Sequence, residues 1–181
     1  MSPVVPRSVT GRITQLRTDF DRSFAEPVRN HDTEHVELLA IRAGGRPYGI
    51  RLSQTAGLHP DRPVTPLPGP LPALLGLAGF AGTAVPVYDL AALLGHPVAD
   101  RPRWLVLAIG SPPLGLAFHD LDGHLRVPGS AVVVEDSAHG CVRGMVTLPD
   151  GTRPIADVPA ARAAVHTLTG HAQLTDPEAA P

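Results

Sequence analysis

The sequence predicts a mostly β domain assembled from many short strands, and three observations carry that expectation. Pro and Gly are abundant, at 21 and 18 of 181 residues, which suits short elements joined by tight turns and works against a long helical bundle. Apolar residues reach 43% while aromatics are only 4%, so a core must be built from Leu, Val, Ala and Ile. Apolar runs of four to seven residues, bounded by turn residues, recur along the chain.

Taken in order, residues 1–34 stand apart. Val9, Ile13, Leu16, Phe20 and Phe24 recur at helical spacing, with Arg12, Arg17, Asp19 and Arg22 between them. This predicts an N-terminal amphipathic helix closed by Pro27, then a polar linker. The helix stripe (Ile13, Leu16, Phe20 and Phe24 above all) must be buried on its own domain or in a partner's groove. The body, residues 35–169, opens with a strand at Glu37–Ala43, a Gly44-Gly45 hairpin turn and a return strand at Tyr48–Leu52. Pro60, Pro63, Pro66, Pro68, Pro70 and Pro72 then punctuate an extended connection, and Leu71–Leu77 is expected to form a helical turn. Thr83–Val87 reads as a strand. Asp89 is placed to cap a helix at Leu90–Leu94, stopped by Gly95 and Pro97. Trp104–Ile109 and Leu114–Phe118 read as paired strands, and Leu125–Val127 and Ala131–Val134 as short ones. Val142–Leu148 and Arg153–Asp157 flank the turn Pro149-Asp150-Gly151. A helix at Pro159–Leu168 closes the domain, and residues 170–181 are expected to form a flexible tail. Such a series suggests barrels or a sandwich.

Charge and motif content exclude several functions. All fifteen positive side chains are Arg and the formal net charge is −2, so the basic footprint of a nucleic-acid binder is missing. Cys141 is the only cysteine, so no intramolecular disulfide is possible. The first residues hold no continuous apolar run of signal-peptide type, and no stretch is long enough to span a bilayer; the protein is expected to be soluble and cytoplasmic. Nine histidines (His31, His35, His59, His96, His119, His124, His139, His166 and His171) are scattered without HExxH spacing or a CxxC partner, and are read as surface residues rather than metal ligands. No GxSxG elbow, phosphate loop or dinucleotide fingerprint occurs, and the carboxylates are dispersed. No catalytic residue, metal or cofactor is predicted.

The stretch from Leu75 to Leu90 resembles the central motif of the CheW-like domain family, the coupling proteins of bacterial chemotaxis arrays. Gly76, Gly82, Val85, Pro86, Val87, Asp89 and Leu90 match its pattern. The flanks agree in order: Leu38–Leu52 looks like the family's opening hairpin, Val64–Pro68 resembles the segment before the motif, Leu114–Phe118 is similar to a later strand, and Gly144 and Asp157 fit the closing strands. The resemblance spans about Val36 to Leu168. It implies two intertwined five-stranded SH3-like β-barrels with a hydrophobic seam and short helices, without enzymatic activity. The partners it implies are the regulatory domain of a histidine kinase, the cytoplasmic tip of a chemoreceptor, or another CheW-like domain.

The departures bear on function. The family's turn usually reads Asn-Leu-Arg-Gly, but here it is Gly79-Phe80-Ala81-Gly82, so Ala81 replaces Arg. An acidic contact residue usual after the second strand falls, by register, at Gly57. The segments Thr55–Gly57 and Gly79–Gly82 are therefore the candidate partner-binding residues: Thr55, Gly57, Gly79, Phe80, Ala81 and Gly82. Loss of two charges removes direction from such an interface, while Phe80 offers an apolar anchor or folds back onto the domain. Three readings follow: an adaptor coupling receptors to a kinase, the same scaffold diverted to another protein-binding role, or an enzyme that uses some of the histidines.

Overall fold

The computed structural model describes residues 34–69, 71–97, 102–134 and 140–174. The predicted N-terminal helix, with Ile13, Leu16, Phe20 and Phe24, lies outside them.

Among the described residues, eleven strands, two short 3-10 turns and two helices follow in chain order. The strands are β1 (His35–Ala43), β2 (Arg46–Arg51), β3 (Thr55–Pro60), β4 (Leu74–Phe80), β5 (Thr83–Asp89), β6 (Trp104–Ala108), β7 (Leu114–Phe118), β8 (Asp120–Pro128), β9 (Val132–Val133), β10 (Val142–Leu148) and β11 (Gly151–Ala156). Helix α1 (Leu90–Leu93) follows β5, and α2 (Val158–Leu174) closes the described chain. The strands form a six-stranded sheet in the order β8-β1-β2-β11-β10-β9 and a five-stranded sheet in the order β3-β6-β7-β5-β4. Both are mixed: β2 runs parallel to β11, and β5 parallel to β7. The second sheet has the strand number that the resemblance implies; the first has one strand more.

Topology nests one sheet inside the other. The five-stranded sheet comes wholly from the middle of the chain, whereas the six-stranded sheet combines β1 and β2 with β8 to β11. Strand β1 therefore pairs with a strand far along the chain, as in Arg42 opposite Asp120 on β8.

Strand periodicity sorts the apolar side chains into three cores, because alternate residues face opposite sides of a sheet. On β1, Leu39, Ile41 and Ala43 face the large shared core, while Leu38 joins Val127, Val146 and Ile155 inside the six-stranded sheet. On β5 and β6, Tyr88 and Val106 face the shared core, whereas Val87 and Leu105 join Ala78 and Ala117 inside the five-stranded sheet. The shared core also takes Leu90 and Ala91 from α1 and Val158, Ala161 and Val165 from α2. It is thus an apolar seam between the two sheets. Each of its fully buried Leu, Ile or Val side chains contributes about 1.5–3 kcal/mol.

Several expected elements form for the expected reasons. The Gly44-Gly45 pair makes the turn between Ala43 and Arg46, which stand opposite each other. Asp89 caps α1, with Oδ1 accepting from the Ala92 amide at 3.1 Å. The Pro149-Asp150 turn joins β10 to β11, with Leu148 opposite Gly151.

Three expectations need correction. Leu71–Leu77 is not a helical turn: from Leu74 it is strand β4, paired in register with β5 apart from a shift between Leu74 and Gly76. The connection after β2 contains a further strand, β3, at the sheet edge and paired only with β6. The closing helix runs beyond Leu168 to Leu174, so residues 170–174 continue it; the rest of the predicted tail lies outside the described residues.

Candidate docking surface

The hairpin tip between β4 and β5 is the most distinctive exposed feature of the five-stranded sheet. Phe80 stands opposite Thr83, leaving Ala81 and Gly82 as a two-residue turn. Both have positive φ, +45° and +80°, as a type I′ hairpin requires. Glycine accepts this freely at position 82, whereas Ala81 carries a β-carbon into the left-handed region, where L-residues are strained. Gly79, Ala81 and Gly82 are exposed.

Phe80 is half-buried and packs against the small inner core of Ala78, Val87, Leu105 and Ala117. Its ring lies 4.9 Å from the His59 ring, tilted by 60°. The Arg62 guanidinium covers it, with Cζ 4.6 Å from the ring centroid, a cation–π arrangement. Arg62 also donates from Nη2 to the Gly79 carbonyl. Phe80 is therefore folded onto the sheet and roofed by an arginine from the β3–β4 connection.

That connection is itself strapped to the edge of β4. Thr65 and Leu77 exchange backbone hydrogen bonds of 2.8 and 2.9 Å. Gly76 makes the approach possible: a β-carbon there would lie 2.0 Å from the Thr65 carbonyl oxygen, well inside van der Waals contact. The glycine that opens the motif thus has a packing reason.

Thr55 and Gly57 lie on β3, at the other edge of the same sheet, where a register shift sets Ala56 out of the ladder with β6. Thr55 Oγ1 donates to the Leu52 carbonyl at 2.9 Å, closing the preceding 3-10 turn. Gly57 is half-buried, and a β-carbon there would meet His59 Nε2 at 2.9 Å. His59 links the two groups of candidate residues, since it follows Gly57 on β3 and contacts Phe80. Sequence reasoning missed Arg62 and His59. The one available signal was that Arg62 is the only arginine between Arg51 and Arg101.

A second polar centre forms around Asp157, whose chain neighbours Ala156 and Val158 belong to the shared core. Asp157, almost fully buried, accepts from Gln54 Nε2 at 2.8 Å and from the Ala160 amide at 2.9 Å. Arg51 and Arg143 approach it at 3.7 and 3.8 Å. Gln54 returns a bond by accepting from the Val158 amide at 3.1 Å. Through these contacts Asp157 caps α2 and fastens the 3-10 turn after β2 to it. Cys141, also buried, has its thiol pushed up by burial and then by the nearby Asp157 carboxylate, the opposite of an activated nucleophile.

Among the described residues, no group of three or more His, Cys, Asp or Glu could hold a metal ion. Among them too, no helix is long and apolar enough to cross a membrane.

The comparisons agree with this architecture. The CheW-like domain profile matches residues 37–165. Among solved structures, the chain is similar to the scaffolding protein TtCheW from Thermoanaerobacter tengcongensis, with a TM-score of 0.58 at 15% identity, covering 66% of this chain and 87% of that one. None of the curated proteins matches. With its profile matched over more than half of its length, the chain belongs to the CheW-like domain family.

Proposed function

We propose that this protein is a non-catalytic cytoplasmic adaptor that couples the cytoplasmic tip of a chemoreceptor to the regulatory domain of a histidine kinase. Family membership over residues 37–165 is the observation that supports this reading. Its two sheets would be the family's paired SH3-like barrels, joined at the apolar seam, and the β3 edge and β4–β5 tip would be the surfaces offered to partners. The dispersed histidines and the raised thiol of Cys141 favour docking over catalysis. The test is affinity purification of the tagged full-length chain from its own host. Receptor and kinase components should co-purify, and their absence from repeated preparations would sink the coupling role.

One observation favours a second reading, in which the scaffold serves another protein partner. Ala81 and Gly57 stand where family members usually place charges. Introducing Ala81→Arg together with Gly57→Glu separates the two readings. A clear gain of kinase or receptor binding supports a weakened coupler, and no gain supports a diverted scaffold.

A further inference from the structure

The β3–β4 connection holds Arg62 in a fixed place beside a cleft. The chain bends at Asp61, whose φ is +46°. The bend is pinned by the Asp61 amide donating to the Arg103 carbonyl at 2.6 Å and by Arg103 Nε donating to Asp61 Oδ1 at 3.4 Å. Arg62 then reaches across the β4 tip to the Gly79 carbonyl and the Phe80 ring. The adjoining cleft, of about 750 Å³, has Arg62, Arg103 and His119 on its walls and Val64 and Leu75 among its apolar lining.

The charges in this cleft do not balance. Its one carboxylate among the described residues, Asp61, is already paired with Arg103 at an exposed position. Among the described residues, Arg62 has no carboxylate partner; its bonds go to a carbonyl and an aromatic face. A guanidinium held by a ring and a carbonyl loses little freedom on meeting an anion. The surplus is local, because the whole chain carries a formal net charge of −2, which disfavours general polyanion binding. The apolar lining asks for an apolar group beside the anion.

We propose that this cleft binds an acidic segment of a partner protein. A partner carboxylate bridges Arg62 and Arg103, and a neighbouring apolar side chain lies on Val64 and Leu75. The cleft adjoins the exposed β4–β5 tip, so the proposal rests on the docking reading above and adds the chemistry of the partner. Arg62 would set the specificity of that contact from outside the hairpin turn.

The test uses the full-length protein and a fluorescein-labelled peptide of alternating Glu and Leu, read by anisotropy. A Lys/Leu peptide and a mixed-sequence single-stranded DNA serve as counter-probes. The Glu/Leu peptide should bind, more weakly as salt rises, and Arg62→Gln and Arg103→Gln should each weaken it about tenfold. Arg126→Gln, on β8, should leave it unchanged. Should Arg62→Gln fail to fold, Arg103→Gln decides, because its described partners are the exposed Asp61 and a backbone amide. The proposal is overturned if the wild type does not bind the Glu/Leu peptide, if the folded arginine variants bind like wild type, or if either counter-probe binds as tightly. Its failure is distinct from that of the adaptor reading. A protein carrying both Arg62→Gln and Arg103→Gln that keeps its co-purifying partners discards the cleft alone, whereas peptide binding without receptor or kinase partners discards the coupling role alone.

Discussion

The six-stranded sheet is tied together by ion pairs between distant segments, whereas the five-stranded sheet relies on backbone ladders and small apolar side chains. In the first, Asp122 on β8 takes Arg42 from β1 at 3.1 Å and Arg153 from β11 at 2.9 Å, and Asp157 collects Arg51, Arg143 and Gln54. In the second, the inner core is Ala78, Val87, Leu105 and Ala117, and its ion pair, Asp61–Arg103, is exposed. The sheet whose strands come from both halves of the chain carries the fasteners. The sheet made from one continuous stretch keeps its β4–β5 tip exposed.

The largest expected effect comes from unfastening the first sheet. Asp157→Ala removes the cap of α2 and leaves Gln54 and two arginines without their acceptor, so urea unfolding should show a loss of about 3 kcal/mol. Next, Gly76→Ala should unseat the Thr65 strap from β4 and cost about 2 kcal/mol. It should also loosen the Arg62 roof over Phe80, which hydrogen exchange at the Leu77 amide would report.

A smaller effect, dependent on pH, is expected at Asp122. Burial alone would raise its carboxyl, but hydrogen bonds from Arg153 and Arg42, with their charges, prevail and hold it below the ordinary 3.8. A group depressed in the folded state stabilises above its unfolded value and loses that contribution as pH falls through its folded value. Asp122→Asn should therefore lower the melting temperature slightly near neutrality, and the difference from wild type should shrink below about pH 4. The smallest effect belongs to the second sheet: Ala81→Gly relieves the left-handed strain and should stabilise by about 0.5 kcal/mol. A destabilised Ala81→Gly would mean that the tip is not held in the turn described.

The features readable from sequence are those decided within a few residues. The Gly44-Gly45 turn, the Asp89 cap and the Pro149–Gly151 turn each depend on local backbone preference, and the Val85–Leu90 motif combines strand and cap in one stretch. Strand β4 was not readable that way. Leu71–Leu77 is a short Leu-rich run that suits helix or strand alike, and pairing with β5 and Thr65 decides between them. Strand β3 has Gly57 and Pro60 within six residues, and only its ladder with β6 makes it a strand. At the candidate site, Thr55, Gly57 and the tip could be picked out from the resemblance. The Arg62 roof could not, because its contacts at Gly79 and Phe80 lie seventeen residues or more further along the chain.

The nesting of the two sheets has a consequence for the order of folding. As the chain leaves the ribosome, β3 to β7 emerge as a complete set, so the five-stranded sheet has all its strands before the six-stranded one does. The β1–β2 hairpin has to wait, with Leu38 lacking Val127 and Ile155, until β8 and β11 arrive to flank it. Gln54, in the 3-10 turn just after that hairpin, is joined to Asp157 and Val158 across more than a hundred residues, so this clasp can close only after β11 has been made.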